Sequence, residues 1–226
     1  MTDAPSSPLS GVGVLVTRPR AQAAELIEAI QEKGGDAICF PVIEIVPRDS
    51  TEIVKDAAAL PNPDIAIFVS PNAVAHGLPY ASGAAKAAIG PATAAAIRFA
   101  GQTVEIKPSQ GYDSESLLAE PALSDVAGKQ VRIIRGGNGR KLLADTLKKR
   151  GAIVNYLPVY ERKLPTVSPE LLVEVEAIWR EGKINAITLM SVETLKNLGT
   201  LLPLCCARQL ENMPLVTPAA RVIKEA

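Results

Sequence analysis

Residues 157–163, LPVYERK, and residues 40–46, FPVIEIV, share a Pro-Val-x-Glu skeleton, but only the later copy carries a hydroxyl. It stands on Tyr160, where the earlier copy has Ile43. A phenol in water ionises near pH 10, so a tyrosine at neutral pH still holds a proton it can donate. The same side chain also serves to cover a hinge from an edge strand, and the residue alone does not choose. Other reactive types are sparse. His76 is the only histidine, which leaves no His-based metal cluster; placed after Ser70 on an expected helix, it reads as a helix residue rather than a general base. Cys39, Cys205 and Cys206 show neither a disulfide framework nor zinc spacing, and read as core or surface thiols.

Several glycine-rich and polar turns invite a ligand. RGGNGRK, 135–141, is not a P-loop, because Leu142 follows Lys141 where Ser or Thr is needed. GVG at 11–13 precedes its strand, so the dinucleotide fingerprint fails as well. Thr17-Arg18 lacks the acidic pair that a magnesium-dependent receiver needs. What remains is a set of strand-to-helix turns at Arg18, Ser70, Gly90 to Thr93, Arg135 to Gly139 and Ser191. Main-chain N–H groups at helix starts hold anions well. Ser70, Thr93 and Ser191 also fit plain helix caps, and Arg18 and Arg135 suit a ligand carboxylate or a local acid equally.

These turns must be positioned by regular elements, and an internal duplication supplies them. GVGVLVTRPRAQAAELIEAIQEKGGDAICFPVIE from Gly11 aligns without a gap on GKQVRIIRGGNGRKLLADTLKKRGAIVNYLPVYE from Gly128, with eight identities at an offset of 128 − 11 = 117. Each copy reads as a β-branched strand, a turn with an Arg, and a helix with Leu26, Ile27 and Ile30 or Leu142, Leu143 and Leu147 on one face. Gly34 or Gly151 then stands at the helix end, before a second strand ending at Pro41 or Pro158. A looser repeat sets PDIAIFVSPNAVAHGL against INAITLMSVETLKNLG, and AAIGPATAAAIRFAG against MPLVTPAARVIKEA. Strands alternating with helices imply α/β architecture: two flavodoxin-like, doubly wound parallel sheets of about five strands each. Asp113 or Ser114 is expected to cap a helix containing Glu115 to Glu120. The repeat leads one to expect a further glycine and strand after Ala226.

Composition limits the partners. Among 226 residues, 24 basic and 24 acidic side chains cancel, and only 4% are aromatic. That argues against a nucleic-acid face or recruitment to an anionic membrane. The opening MTDAPSSPLS has neither a basic nor an apolar region and reads as a flexible tail. No apolar run is long enough to span a bilayer. A cytoplasmic protein is expected.

VTRPRAQAAELIEAIQEKGGDAICFPVIEI, FVSPNAV, IGPATAAAI, GYDSESLL and RGGNGRKLLADTLKKRGAIVNYLPVYER, in this order, together resemble the uroporphyrinogen-III synthase family. SVETLKNL departs from the expected Thr-Ser turn. The resemblance implies a bilobed enzyme that cyclises the linear tetrapyrrole hydroxymethylbilane, with loss of water and inversion of the last pyrrole. It implies no cofactor and no metal, a monomer, and a transient hand-over of substrate from the preceding pathway enzyme. Lobe one would comprise 1–39 and 163–226 and lobe two 47–156, with 40–46 and 157–162 as a two-stranded connector. Tyr160 would be the acid that assists hydroxide loss. Arg18, Ser70, Asn72, Thr93, Arg135, Gly136, Gly137 and Ser191 would receive the substrate. A non-catalytic bilobed protein that senses a small anion is the competing reading.

Overall fold

The computed structural model describes residues 7–137, 139, 141–203, 206, 209–210, 212–218 and 220–225. Cys205, Asn138, Arg140 and the first six residues of the amino-terminal tail lie outside that set. The chain forms two compact units: residues up to Glu44 with those from Lys163 onward, and Ile45–Arg162 between them.

In chain order, the first unit opens with β1 (Gly13–Val16), α1 (Ala24–Glu32) and β2 (Asp36–Cys39). Then follow β3 (Glu44–Pro47), α2 (Ser50–Ala58), β4 (Ile65–Phe68), α3 (Pro71–Gly77), β5 (Ala85–Ala88) and α4 (Pro91–Phe99). Next come α5 (Ser114–Leu118), β6 (Gln130–Gly136), α6 (Leu142–Lys149) and β7 (Ile153–Lys163). The chain finishes the first unit with α7 (Pro169–Arg180), β8 (Ala186–Thr188), α8 (Val192–Leu201), β9 (Leu215–Val216) and α9 (Ala220–Glu225).

The central strands β1, β4 and β6 are buried runs rich in Val and Ile, which suit a parallel ladder covered on both faces. In the first unit the spatial order is β2-β1-β8-β9, all parallel. In the second it is β3-β7-β6-β4-β5, with parallel pairing from β7 to β5, and Ile106 adds a parallel bridge to Ala87. Alternation sorts side chains between the faces. Ile65 and Ile67 pack with Leu117, Leu143 and Leu147, whereas Ala66 and Phe68 pack with Val74, Ala94 and Ile97. In the first unit Leu15 joins Val175, Trp179 and Leu198, and Val14 and Val16 join Ala23 and Ile30.

The duplication is legible atom by atom. Gly13 pairs with Asp36 in one copy and Gln130 with Ile153 in the other, each partner displaced by 117. Both helices end in the same glycine cap. Gly34 has φ +79° and Gly151 φ +84°, a region where a Cβ is strained. The N–H groups of Gly34 and Gly35 reach Gln31 O at 2.8 Å and Ile30 O at 3.0 Å. Those of Gly151 and Ala152 reach Lys148 O at 2.9 Å and Leu147 O at 3.0 Å. The weaker half of the repeat holds too: β8 and β9 stand beside β1 as β4 and β5 stand beside β6.

Four local expectations need correction. Ser7–Ser10 are not a free tail, since Leu9 N donates to Lys33 O at 2.9 Å and Leu9 packs on the Ile30 cluster. Asp113 caps α5, accepting from Ser116 N at 2.8 Å, but the helix stops before Glu120. Glu120 is extended, with ψ 133°, because it precedes Pro121. Pro158 does not end its strand; β7 runs through it to Lys163, past an irregularity in the ladder. The first unit has four strands among the described residues rather than five.

Candidate active site

The carboxyl end of β4 leads into α3 through Ser70. Its hydroxyl accepts from Ala73 N at 3.1 Å, and Pro71 takes the first helical position, where no N–H is needed. The carboxyl end of β6 supplies Arg135, Gly136 and Gly137 next door. In β7 the ladder slips: Arg135 faces Pro158, but Gly136 faces Tyr160, leaving Val159 as an extra residue. Strand alternation would send Val159 and Tyr160 to opposite faces, yet both pack in one cluster with Ala73, Val74 and Ile134. The slip therefore turns Tyr160 toward α3.

Tyr160 is 1% exposed, and its phenol oxygen lies 3.0 Å from Ser70 Oγ. With one lone pair of Ser70 engaged by Ala73 N–H, its own hydrogen is available to the phenol, and the phenol's hydrogen is then available to a ligand. The ring packs closely on Gly136, where a Cβ would sit 2.5 Å from Tyr160 Cε2. Gly137 N donates to Tyr160 O at 3.0 Å. Arg135 donates from Nε to Gly136 O at 3.0 Å, and its guanidinium stands 5.0 Å over the Tyr156 ring. A small cavity of about 80 Å³ opens among Val69, Arg135, Gly136, Gly139, Tyr160 and Arg162. A hydroxyl and a cation thus face one small cavity, a pairing that can donate a proton to an oxygen and hold a carboxylate.

The second unit therefore assembles Tyr160, Ser70, Arg135, Gly136 and Gly137. Asn72 lies in the first turn of α3 beside them, half-buried. Thr93 is 3% exposed in the first turn of α4 and does not line the cavity. His76 is half-buried in the last turn of α3 and is not among the lining residues. Arg18 and Ser191 belong to the first unit. Ser191 caps α8 reciprocally with Thr194. Arg18 follows β1 with a buried Nε that has no hydrogen-bond partner. Sequence reasoning did not single out Val69 or Arg162. The Arg of Val-Tyr-Glu-Arg was the signal for the second; Val69, an apolar strand end, carried none. Among the described residues no three His, Cys, Asp or Glu side chains gather as a metal site, and no helix is long and apolar enough to cross a membrane.

Comparison with known proteins places this geometry in context. A family model described as uroporphyrinogen-III synthase HemD matches residues 24–224. The chain is 30% identical over 201 residues to the uroporphyrinogen-III synthase of Escherichia coli, covering 85% of this chain and 80% of that one. It is 28% identical over 205 residues to the uroporphyrinogen-III synthase of Proteus mirabilis, covering 83% and 97%. In fold it resembles a mutant uroporphyrinogen III synthase of Thermus thermophilus, with TM-score 0.61, 23% identity and coverage of 95% and 87%. It also resembles the Helicobacter pylori uroporphyrinogen-III synthetase, with TM-score 0.56, 14% identity and coverage of 95% and 97%.

Proposed function

The chain belongs to the uroporphyrinogen-III synthase family, and we propose that Tyr160 is the acid through which it performs that family's reaction. The enzyme is a cyclising lyase of haem biosynthesis. It converts hydroxymethylbilane to uroporphyrinogen III by expelling water and closing the ring with the last pyrrole inverted. The observation that carries the role of Tyr160 is its phenol oxygen 3.0 Å from Ser70 Oγ, at the wall of a cavity shared with Arg135.

In the first step Tyr160 gives its proton to the hydroxymethyl oxygen, the C–O bond breaks, and water departs. The pyrrole nitrogen lone pair makes up the lost electrons, leaving an azafulvene cation. The Ser70 hydroxyl donates to the phenol oxygen as negative charge grows there. A carbon of the last pyrrole attacks, a spiro-type intermediate rearranges, and the proton lost on rearomatisation restores the phenol. Arg135 receives a substrate carboxylate, and Gly136 and Gly137 beside it are assigned to the same contact. Asn72 and Thr93 on their helix starts, and Arg18 and Ser191 on the first unit, are assigned the same task.

The architecture is read as two flavodoxin-like lobes of common origin, with 40–46 and 157–162 as their connector. The enzyme is read as a cytoplasmic monomer that takes its substrate from the preceding enzyme.

The test is to add hydroxymethylbilane, oxidise, and resolve the isomers. Isomer III is expected; isomer I alone, as forms spontaneously, sinks the enzyme reading and favours an anion-binding protein. Tyr160→Phe is expected to lower kcat by about one to two orders of magnitude with folding intact. Unchanged turnover makes Tyr160 a structural residue and leaves catalysis to positioning.

A further inference from the structure

We propose that Arg48 is the positioning residue for Tyr160, an inference that rests on Tyr160 being the acid. Arg48 follows β3 and holds the two carbonyls immediately before Tyr160. Its main-chain N–H donates to Val159 O at 3.1 Å, and its guanidinium Nη1 donates to Pro158 O at 2.8 Å. Consecutive carbonyls of a regular strand point to opposite neighbours, so one residue seldom reaches both. Here it does, at the slip that turns Tyr160 onto the Ser70 face.

The guanidinium is itself fixed. Nη1 also meets Asp56 Oδ2 at 2.9 Å and Nη2 meets Glu52 Oε2 at 3.4 Å, both carboxylates on α2. Pro158 has no N–H to offer the ladder, so its carbonyl is the only polar main-chain handle at that position. The other copy makes the contrast. There Phe40 N donates to Val16 O and Val42 N to Thr17 O, a two-residue step against a one-residue step at positions that match Ile133 and Ile134 rather than Arg135 and Gly136, and Phe40 and Val42 stay on one face. The Val42 carbonyl is held by Asn197 Nδ2 at 2.8 Å, and the position displaced by 117 from Arg48 is Pro165, with no side-chain donor. The copy that carries the phenol is the copy whose slip is clamped by a charged fork.

Arg48→Ala keeps the main-chain bond and removes only the clamp. It is expected to lower kcat on hydroxymethylbilane about three- to tenfold, since small misplacements of a reacting group are costly, with KM within about twofold. Asp56→Asn, which loosens the fork without removing it, is expected to give a smaller loss of the same kind. In a Tyr160→Phe background both losses should shrink below about twofold, because coupled residues are not additive. Thermal unfolding of each variant separates a folding defect from a lost orientation. Full turnover in Arg48→Ala, a rise in KM alone, or losses that multiply fully with Tyr160→Phe overturns the inference. Full turnover in Tyr160→Phe alone overturns the acid reading beneath it.

Discussion

Ser70 does two jobs with one oxygen, and its removal separates them. Ser70→Ala deletes the cap of α3 and the hydroxyl 3.0 Å from the phenol. It is expected to cost about 1 kcal/mol of stability, read by urea denaturation, together with a fall in kcat. Loss of stability with undiminished turnover makes it a cap alone. Gly136→Ala probes the other side of the ring. Its Cβ would sit 2.5 Å from Tyr160 Cε2, so the phenol must move and kcat should fall about as far as in Tyr160→Phe, while KM changes little; retained turnover would show that the ring position is immaterial. The pairing of Tyr160 with Ser70 was not visible in the sequence, although both residues were singled out. They are 90 positions apart, and no local pattern links them.

At the scale of elements, the glycines that close α1 and α6 are where local sequence and structure agree most closely. Gly34→Ala and Gly151→Ala each force a side chain to positive φ and are expected to destabilise by about 1 kcal/mol or more. Equal turnover with a lowered unfolding midpoint is the expected result, and an unchanged midpoint in both argues against the caps. Glu105 ties β5 to the Ile106 bridge by accepting from Lys86 N at 2.7 Å. Burial pushes its carboxyl up, but hydrogen bonds from Thr103 and the main chain and the charge of Lys86 prevail, so it titrates below the ordinary range. A carboxyl depressed in the fold stabilises fully above its unfolded pKa, about 4.3, and that contribution is lost as pH falls through the folded value. Glu105→Gln should therefore lower stability at neutral pH and flatten the decline in acid; an acid limb of unchanged slope counts against this. The strands, turns and caps of these elements were readable because their signals lie within a few adjacent residues. Strand 153–163 was not, because proline normally stops a ladder, whereas β7 runs through Pro158 to Lys163.

Taken as a whole molecule, the second unit is a continuous stretch with its own core. The clusters around Ile67 and Phe68 lie wholly within 45–162. A fragment of these residues is expected to fold alone with a cooperative thermal transition, and a fragment without one shows that the second unit depends on the first. The first unit, interrupted in sequence, gathers Leu15, Trp179 and Leu198 from both of its segments. The two sheets share one spatial order, β2-β1-β8-β9 and β7-β6-β4-β5, although the chain enters them at different strands. The sequence by itself determined the family, the duplication, the α/β units and the glycine caps, because these rest on residue type, short-range periodicity and main-chain conformation. Only the tertiary structure decided which face Tyr160 occupies, that Ser70 meets it, and that Arg48 clamps the slip from 110 positions away. Those are relations between strands, set by the register of hydrogen bonds across a sheet, and a one-residue slip in register leaves no periodic mark in the residues that make it.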